Sequence, residues 1–306
     1  MSIEVKELIK VYGEQRAVDA ISFTVGKGEI VGFLGPNGAG KSTTMKILTG
    51  FLSQDGGEAI VCGINTRIQP LETKRKIGYL PEANPLYPDM YVREYLDFAA
   101  SIHGVTGRKK KIEEVIGTVG LSPESKKKLG QLSKGYKQRA GLAAALIHDP
   151  EVLILDEPTS GLDPNQIVEI REVIKKLGKD KTVLFSSHIL QEVEVLCDRV
   201  VIINKGKLVA DSELSLLRQH NAGNTVKVTF KEELNAPMLQ NLQGVTAVNA
   251  LSPGEWELVT DEPDLVKKQL LELALQNKLN IVSLQSETRS LEAIFRSLTG
   301  HPVKGE

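Results

Sequence analysis

The chain contains a phosphate-loop motif, Gly35-Pro36-Asn37-Gly38-Ala39-Gly40-Lys41-Ser42, which fits the pattern G-x-x-x-x-G-K-[ST]. An apolar run, Ile30–Leu34, precedes it and is typical of a buried strand, and Thr43–Phe51 follows as the opening of a helix. In that context the glycines let successive backbone N–H groups face one concavity, and the helix adds its positive N-terminal end. Lys41 can then reach the β- and γ-phosphates, and the Ser42 hydroxyl can ligate Mg²⁺. The motif therefore predicts binding of a nucleoside triphosphate.

A second apolar run ends in two acids, Asp156 and Glu157. The run, Val152–Leu155, is typical of a buried strand, and carboxylates at its carboxyl end need a partner because burial of charge is costly. In a doubly wound sheet that edge is where ligands bind. Asp156 is then placed to hold Mg²⁺, directly or through water, and Glu157 to polarise an attacking water. The alternative is a surface strand that simply ends in acids.

Three further features are compatible with a nucleotide site but are less specific. Ser133 is a good helix N-cap, and Gly135 leaves the first turn open, so this helix start offers N–H groups to an anion; an ordinary capped helix is the alternative. His188 follows the apolar run Val183–Ser187, at the same kind of strand end as Asp156, so we expect it near the γ-phosphate. Tyr12 precedes a turn, where it could stack on an adenine or be a half-buried strand residue.

The order of the remaining segments predicts an α/β core with an inserted helical subdomain, followed by a small α+β domain. Strands are expected at 3–12, 17–25 and 76–80, helical spacing fills the insertion at about 84–148, and a strand hairpin turns at Lys205-Gly206. After linker-like residues the pattern becomes β-α-β-β-α-β, the ferredoxin-like order, with a last helix carrying Leu291, Ile294, Phe295 and Leu298. The predicted domains are 1–220 and 221–306.

Composition excludes several classes of protein. The chain has 306 residues, which favours two domains, and a net charge of −1, so general attraction to nucleic acid or acidic lipid is not expected. Cys62 and Cys197 lie far apart in apolar segments and are expected to be reduced thiols. The longest apolar runs are too short to cross a bilayer, so action at a membrane would need another chain.

Taken together, the motifs resemble those of the nucleotide-binding subunit of an ABC (ATP-binding cassette) transporter over residues 1 to about 220. Gly35–Ser42 resembles Walker A, Val152–Glu157 resembles Walker B with its catalytic glutamate, and Leu132–Arg139 resembles the LSGGQ signature. Ser160–Asp163 resembles the D-loop, His188 the switch histidine and Tyr12 the adenine-stacking aromatic. The resemblance implies a P-loop ATPase that uses ATP and Mg²⁺, with Lys41, Glu157 and His188 as catalytic residues. The implied nucleotide contacts are Tyr12, Gly35, Pro36, Asn37, Gly38, Ala39, Gly40, Lys41, Ser42, Thr43, Ser133 and Gly135.

The family resemblance also implies a partner cassette. Two cassettes pack head to tail, so that Ser133 and Gly135 of one subunit cap the γ-phosphate held by Lys41 of the other, in a homodimer or with a paralogue. Closing and reopening of this pair would drive separate transmembrane permease subunits. The chain would then be cytoplasmic and peripheral, held on the inner face of the cell membrane through the permease.

Two positions depart from the family pattern. Glu82 stands at the Q-loop position, where Gln is usual; we expect it to ligate Mg²⁺, as do Ser42 and Asp156, whereas a position facing phosphate would weaken closure. In the signature, Lys134 and Tyr136 replace the usual Gly and Gln, while Ser133 and Gly135 are retained. We therefore expect phosphate capping to be preserved.

The tail, with Ser290–Phe295, resembles the C-terminal extension of ATPases that serve ABC-2-type export permeases. Segments 76–82 and 85–90 resemble the gliding-motility-type ATP-binding subunit. One alternative is a soluble cassette acting on nucleic acid or ribosomes; the short insertion, single cassette and balanced charge speak against it, and no nucleic-acid partner is expected. Another is a regulatory module that binds ATP without turnover; the presence of Lys41, Asp156, Glu157 and His188 speaks against it, although the Glu82 departure leaves it open.

Overall fold

The computed structural model describes residues 1–216, 224–232, 234, 236–288, 295 and 299. The chain divides into two compact units, Met1–Glu213 and Leu214–Glu306. The predicted boundary at 220/221 falls among residues outside the described ones and stays a prediction. Of the predicted last helix, Leu291, Ile294 and Leu298 also lie outside them.

The first unit alternates strands and helices. Its helices are α1 (Lys41–Leu48), α2 (Pro70–Lys76), α3 (Val92–Ile102), α4 (Arg108–Thr118), α5 (Lys134–Leu146), α6 (Pro164–Leu177) and α7 (Leu190–Leu196). Its strands are β1 (Ile3–Tyr12), β2 (Gln15–Val25), β3 (Ile30–Leu34), β4 (Gly56–Val61), β5 (Ile64–Asn65), β6 (Ile77–Leu80), β7 (Val152–Asp156), β8 (Thr182–Ser187), β9 (Arg199–Asn204) and β10 (Lys207–Glu213).

Within residues 1–216 these strands form two sheets. One sheet has the order β10-β9-β3-β8-β7-β6, in which β9, β3, β8, β7 and β6 run parallel and β10 pairs antiparallel with β9. The other sheet, β2-β1-β4-β5, is antiparallel. Because β8 lies between β3 and β7, the loops at the carboxyl ends of these three strands meet at one edge of the sheet.

The core of this unit combines apolar side chains from both sheets with those of α1. Phe23 of β2 packs on Phe33 of β3 with ring centroids 5.3 Å apart, and Met45 and Leu48 of α1 are fully buried beside them. Central parallel strands are covered on both faces, which explains why every residue of β7 and β8 is buried. The continuous apolar runs in the sequence therefore become the middle of the sheet.

Two local features differ from the sequence-based expectation. Helix α1 ends at Leu48 and not at Phe51, because Gly50 adopts a φ of +66° and the N–H groups of Gly50 and Phe51 bond back to Ile47 and Lys46. Helix α2 was not predicted. Pro70 at its start and the basic residues Lys74–Lys76 in its last turn are the signals that could have identified it.

Residues 92–146 supply α3, α4 and α5, the helical insertion expected from the sequence. Where α3 and α5 approach β6, a cavity of about 440 Å³ opens, with an aromatic wall that includes Tyr87, Tyr95 and Phe98. His103 and His148 stack in it with ring centroids 3.8 Å apart. Burial, together with the neighbouring His103, lowers the pKa of His148 to about 4, so this ring is neutral at pH 7.

The second unit contains strands β11 (Asn224–Phe230), β12 (Val245–Ser252), β13 (Glu255–Thr260) and β14 (Ile281–Thr288), and helices α8 (Ala236–Gln240) and α9 (Pro263–Asn277). The antiparallel strand order among these described elements is β12-β13-β11-β14. Its core joins Val226, Val228 and Leu258 of the sheet to Leu239 and Leu270 of the helices. The predicted β-α-β-β-α-β order is present, with the strand arrangement of a ferredoxin-like module.

Candidate functional site

The phosphate loop connects β3 to α1 in a conformation that requires glycine. Gly40 is the N-cap of α1 with φ +112°, and a Cβ at this position would collide with the carbonyl oxygen of Ala17. A Cβ on Gly35 would likewise collide with the carbonyl oxygen of Ile203. The glycines thus let the loop pack against two neighbouring backbones, and the first turn of α1 points its N–H groups into the loop.

Lys41 is buried at the centre of this loop, with 5% of its surface exposed. Its Nζ donates to the carbonyl oxygens of Gly35 at 2.8 Å and Pro36 at 3.2 Å, and lies 3.3 Å from Oε1 of Glu157. An ammonium has three protons, so these three oxygens account for its hydrogen-bonding capacity. A phosphate that binds Lys41 has to replace at least one of them.

Asp156 is fixed by two hydroxyl groups. Ser42 Oγ donates to Asp156 Oδ1 at 3.1 Å, and Ser186 Oγ donates to the same oxygen at 2.6 Å. The backbone N–H of Glu157 donates in turn to Ser186 Oγ at 2.9 Å. Asp156 is almost fully buried, and these bonds compensate the cost of placing its carboxylate there.

Glu157 bridges the phosphate loop and His188. Its Oε2 lies 2.7 Å from His188 Nδ1, while its Oε1 pairs with Lys41. Its φ is +47°, a left-handed backbone that costs a residue with a Cβ about 1–2 kcal/mol. The bonds to Lys41 and His188 hold the side chain that this unusual turn directs toward the loop.

Lys41, Ser42 and Glu157 line a cavity of about 270 Å³, whereas Asp156 and His188 are not part of its lining. Its lining contains the predicted residues Asn37, Gly38, Gly40, Lys41, Ser42, Thr43, Glu82 and Glu157, together with Ala17. Gly35, Pro36 and Ala39 belong to the same loop, and Ala39 is buried beneath it. Glu82 is exposed at the cavity, and its charge, with that of Asp156, adds to the burial that raises the pKa of Tyr79.

Tyr12, Ser133 and Gly135 do not line this cavity in the described part of the chain. Tyr12 is about half exposed, with Lys10 Nζ 5.5 Å from its ring centroid. Ser133 caps α5 and accepts from the N–H of Tyr136 at 3.4 Å. Gly135 is buried against Gln166 of α6, where a Cβ would lie 2.6 Å from the amide carbon.

Sequence reasoning missed several hydroxyl groups of the site. Ser186, which holds Asp156, and Thr159 and Ser187, which bond to a buried Glu192, were not predicted to act. Two serines at the end of the apolar strand β8 were the available signal, since a buried hydroxyl needs a partner. Glu192 gave no such signal, because its helix position does not reveal its burial.

The donor set near Ser42 suits a Mg²⁺ ion. A serine hydroxyl and a carboxylate, 3.1 Å apart at the edge of the cavity, are hard oxygen ligands. Among the residues that the structure describes, there is no cluster of three or more His, Cys, Asp or Glu that could hold a metal by itself. This arrangement fits Mg²⁺ sites that combine one carboxylate with substrate phosphates.

Comparison with known proteins decides the family. The family model described as "ABC transporter" matches residues 18–160, and the model "ATP-binding protein DrrA1-3-like, C-terminal domain" matches residues 213–299. The linearmycin resistance ATP-binding protein LnrL of Bacillus subtilis (strain 168) is 36% identical over 309 residues, covering 99% of both chains. The chain belongs to the ABC transporter ATP-binding proteins. It binds and hydrolyses ATP as the ATP-binding subunit of such a transporter.

Other similar proteins cover the first unit. The bacitracin transport ATP-binding protein BcrA of Bacillus licheniformis is 44% identical over 221 residues, 72% of each chain. A solved "ATP binding subunit of ABC transporter" has TM-score 0.66 and 31% identity, covering 72% of this chain and 93% of its own. A dimeric post-hydrolysis state of the ATP-binding cassette MJ0796 bound to ADP and Pi has TM-score 0.64 and 26% identity, covering 69% and 98%.

These comparisons confirm the predicted family, fold class and ATP hydrolase activity. In the described residues, none of the helices is both long enough and apolar enough to span a bilayer. The roles of the individual site residues stay predictions.

Lys41→Ala should abolish ATP binding. The loop would lose the ammonium that lies within its concavity, and loss of a desolvated charged contact lowers affinity by about 100-fold or more. Titration of ATP followed by calorimetry measures this, with Lys46→Ala, a half-buried lysine of the same helix, as the matched control. Unchanged affinity in Lys41→Ala would remove Lys41 from the nucleotide site.

Proposed function

We propose that this chain is the ATPase of an ABC-2-type exporter, cytoplasmic and peripheral on the inner face of the cell membrane, where it powers a separate permease. Two cassettes would act as a head-to-tail dimer. The observation that carries the proposal is the division of the predicted site: Lys41, Ser42 and Glu157 line one cavity, while Ser133 and Gly135 lie outside it. A second chain can supply the missing half.

Binding of ATP would rearrange the charges around Lys41. The γ-phosphate and the Glu157 carboxylate are both negative, so they compete for the same ammonium. Glu157 Oε1 is then the partner that leaves Lys41, while Oε2 keeps its bond to His188. Released from Lys41, Glu157 can accept a proton from the attacking water. His188 would hold the Glu157 side chain in its orientation beside the γ-phosphate.

Ser42 and Asp156 are the residues that would hold Mg²⁺, with Glu82 as a further ligand from the Q-loop position. When bound, the ion offsets the negative charge of the phosphates. Ser186 keeps Asp156 directed toward Ser42, and the bond between Ser186 and the N–H of Glu157 ties the two acids to one geometry. Glu82 is exposed and lines the cavity, where its carboxylate can approach the ion.

The start of α5 is suited to cap a phosphate from a second chain. Ser133 and Lys134 are exposed, and the first turn of the helix contains no acidic residue, so its positive end is not neutralised within the helix. Gly135 and Gln166 pack together, and Arg139 of α5 forms an ion pair with Glu169 of α6. These contacts hold α5 against α6, the helix that follows the D-loop-like residues Ser160–Asp163.

Two relatives of the chain support the export direction. LnrL and BcrA are described as a linearmycin resistance and a bacitracin transport ATP-binding protein, and the chain covers the full length of LnrL.

The aromatic-walled cavity between α3, α5 and β6 contains two buried polar atoms without a partner in the described residues, Tyr79 Oη and His148 Nδ1. We assign it to a cytoplasmic segment of the permease, whose polar groups would satisfy these atoms.

Glu157→Gln should still bind ATP and accumulate as a closed dimer. Glutamine keeps the shape of the side chain but cannot accept the proton from water, so ATP stays intact between the two cassettes. Gel filtration with ATP and Mg²⁺ should show the dimer for this variant and mainly monomer for the wild type. A variant that elutes only as monomer would argue against the dimer.

Mixing two inactive variants tests whether each site is shared. In a mixed dimer of Ser133→Arg and Lys41→Ala, one site contains both intact halves and the other contains neither. We expect each variant alone to lack turnover and an equal mixture to recover up to about a quarter of wild-type ATPase activity, since half of the dimers carry one intact site. No recovery would contradict a site built from two chains.

Co-purification tests the permease. The tagged chain, solubilised from its native membranes, should retain a polytopic membrane protein. A Tyr87→Ala/Phe98→Ala variant, which removes an edge-to-face pair in the cavity wall (centroids 5.8 Å apart), should lose it while keeping ATP binding. Val195→Ala, an exposed apolar residue of α7, serves as control. Isolation with ribosomes or nucleic acid in place of a membrane protein would favour the soluble alternative.

A further inference from the structure

Glu192 of α7 forms a buried bridge between two loops of the site. Only 2% of its surface is exposed. Thr159 Oγ1 donates to Glu192 Oε1 at 2.5 Å, and Ser187 Oγ donates to Glu192 Oε2 at 2.6 Å. Each carboxylate oxygen therefore accepts from a hydroxyl group of a different loop.

The two hydroxyl groups belong to the segments that carry the predicted catalytic pair. Thr159 lies two residues after Glu157, in the loop that follows β7, and Ser187 immediately precedes His188 at the end of β8. Glu157 Oε2 and His188 Nδ1 are themselves 2.7 Å apart. The Glu192 bridge thus ties the same two loops that the catalytic pair joins.

Burial of the Glu192 carboxylate is costly unless hydrogen bonds replace its lost hydration. Charge-assisted O–H···O⁻ bonds of about 2.5–2.7 Å are strong, and two of them hold this carboxylate. Arg171 Nη2 lies 3.9 Å from Glu192 Oε1, so this guanidinium stands at the limit of an ion pair. A neutral apolar side chain would fill the space at lower desolvation cost but could not fix the two hydroxyl groups.

Glu192 also reaches the chain on either side of the D-loop-like segment, at Thr159 before it and at Arg171 in the helix after it. Thr159 precedes Ser160–Asp163, and Arg171 lies on α6, whose N-cap is Asp163. A displacement of this segment is therefore transmitted through one carboxylate to Ser187 and the loop of His188.

We propose that Glu192 is a positioning residue that sets the distance between Glu157 and His188 by joining the loops after β7 and β8. This inference rests on the proposed roles of Glu157 and His188. It predicts that loss of the bridge lowers the rate of hydrolysis and leaves ATP binding intact, because Glu192 does not line the phosphate-loop cavity.

The test compares Glu192→Ala and Glu192→Gln with Glu194→Gln, a half-buried glutamate of the same helix, in the full-length chain. A displacement of about 1 Å at a catalytic group can cost 100-fold in rate, so we expect Glu192→Ala to lower kcat by at least about tenfold. The KM for ATP and the ATP affinity should stay within about twofold of wild type, because loss of the bridge should destabilise the transition state and not the bound ATP. The kcat of Glu192→Gln should lie between that of Glu192→Ala and that of the wild type, and the kcat of Glu194→Gln should match the wild type.

Substitution of the two hydroxyl groups identifies the bridge itself. Thr159→Val and Ser187→Ala should each lower kcat, and together they should lower it no further than Glu192→Ala. In a Glu192→Ala background neither should change kcat by more than about twofold, because coupled residues are not additive. These variants also keep the proposal testable if Glu192→Ala fails to fold.

Three results would overturn the inference. The first is an unchanged kcat in Glu192→Ala and Glu192→Gln, and the second is a parallel loss of ATP affinity and kcat that follows a fall in Tm. The third is that Thr159→Val and Ser187→Ala still lower kcat independently in the Glu192→Ala background. Glu157→Gln is measured alongside. If Glu157→Gln retains turnover, the proposed catalytic role of Glu157 fails; if it loses turnover while the Glu192 variants behave as wild type, only the positioning role fails.

Discussion

Parallel pairing of β3, β8 and β7 brings the phosphate loop, the acids and His188 to one edge of the sheet. The register aligns Leu34 of β3 with Ser187 of β8, and Asp156 of β7 with Ser186 of β8. Leu34 and Ser187, more than a hundred positions apart in the chain, are thereby adjacent. Since all three strands are buried in the middle of the sheet, a shift of register would move apolar side chains out of the core and is strongly resisted.

Charge balance at this edge explains the conformation of the site. The buried ammonium of Lys41 is satisfied by two loop carbonyls and by Glu157, and Glu157 is satisfied by Lys41 and His188. Buried charges need such partners, and exchange of one anionic partner for another changes the arrangement with little change in desolvation. In the function that we propose, the Glu157 carboxylate holds the place at Lys41 that a phosphate would take, so nucleotide binding would release Glu157 to act as the base.

Polar side chains outside the named motifs organise these charges. Ser186 fixes Asp156, and Glu192 fixes Thr159 and Ser187, so each motif is supported by hydroxyl groups from a neighbouring loop. Helix α5 packs on α6 through Gly135 and Gln166 and through the Arg139–Glu169 ion pair. The helix start that would face a second cassette and the loops that hold Glu157 are therefore connected through α6.

The sequence by itself determined the phosphate loop, the apolar strands with their terminal acids, the helical insertion and the β-α-β-β-α-β order of the second unit. These features are local: a motif at fixed spacing, or a periodicity within one element, is readable without knowledge of what packs against it. Only the tertiary structure decided that α1 ends at a Gly50 turn, that Ser186 supports Asp156, that Ser133 and Gly135 lie apart from the cavity of their own chain, and that Glu192 is buried between two loops. Those facts depend on which strands are neighbours in the sheet, and pairing between distant segments leaves no pattern in any single stretch of sequence.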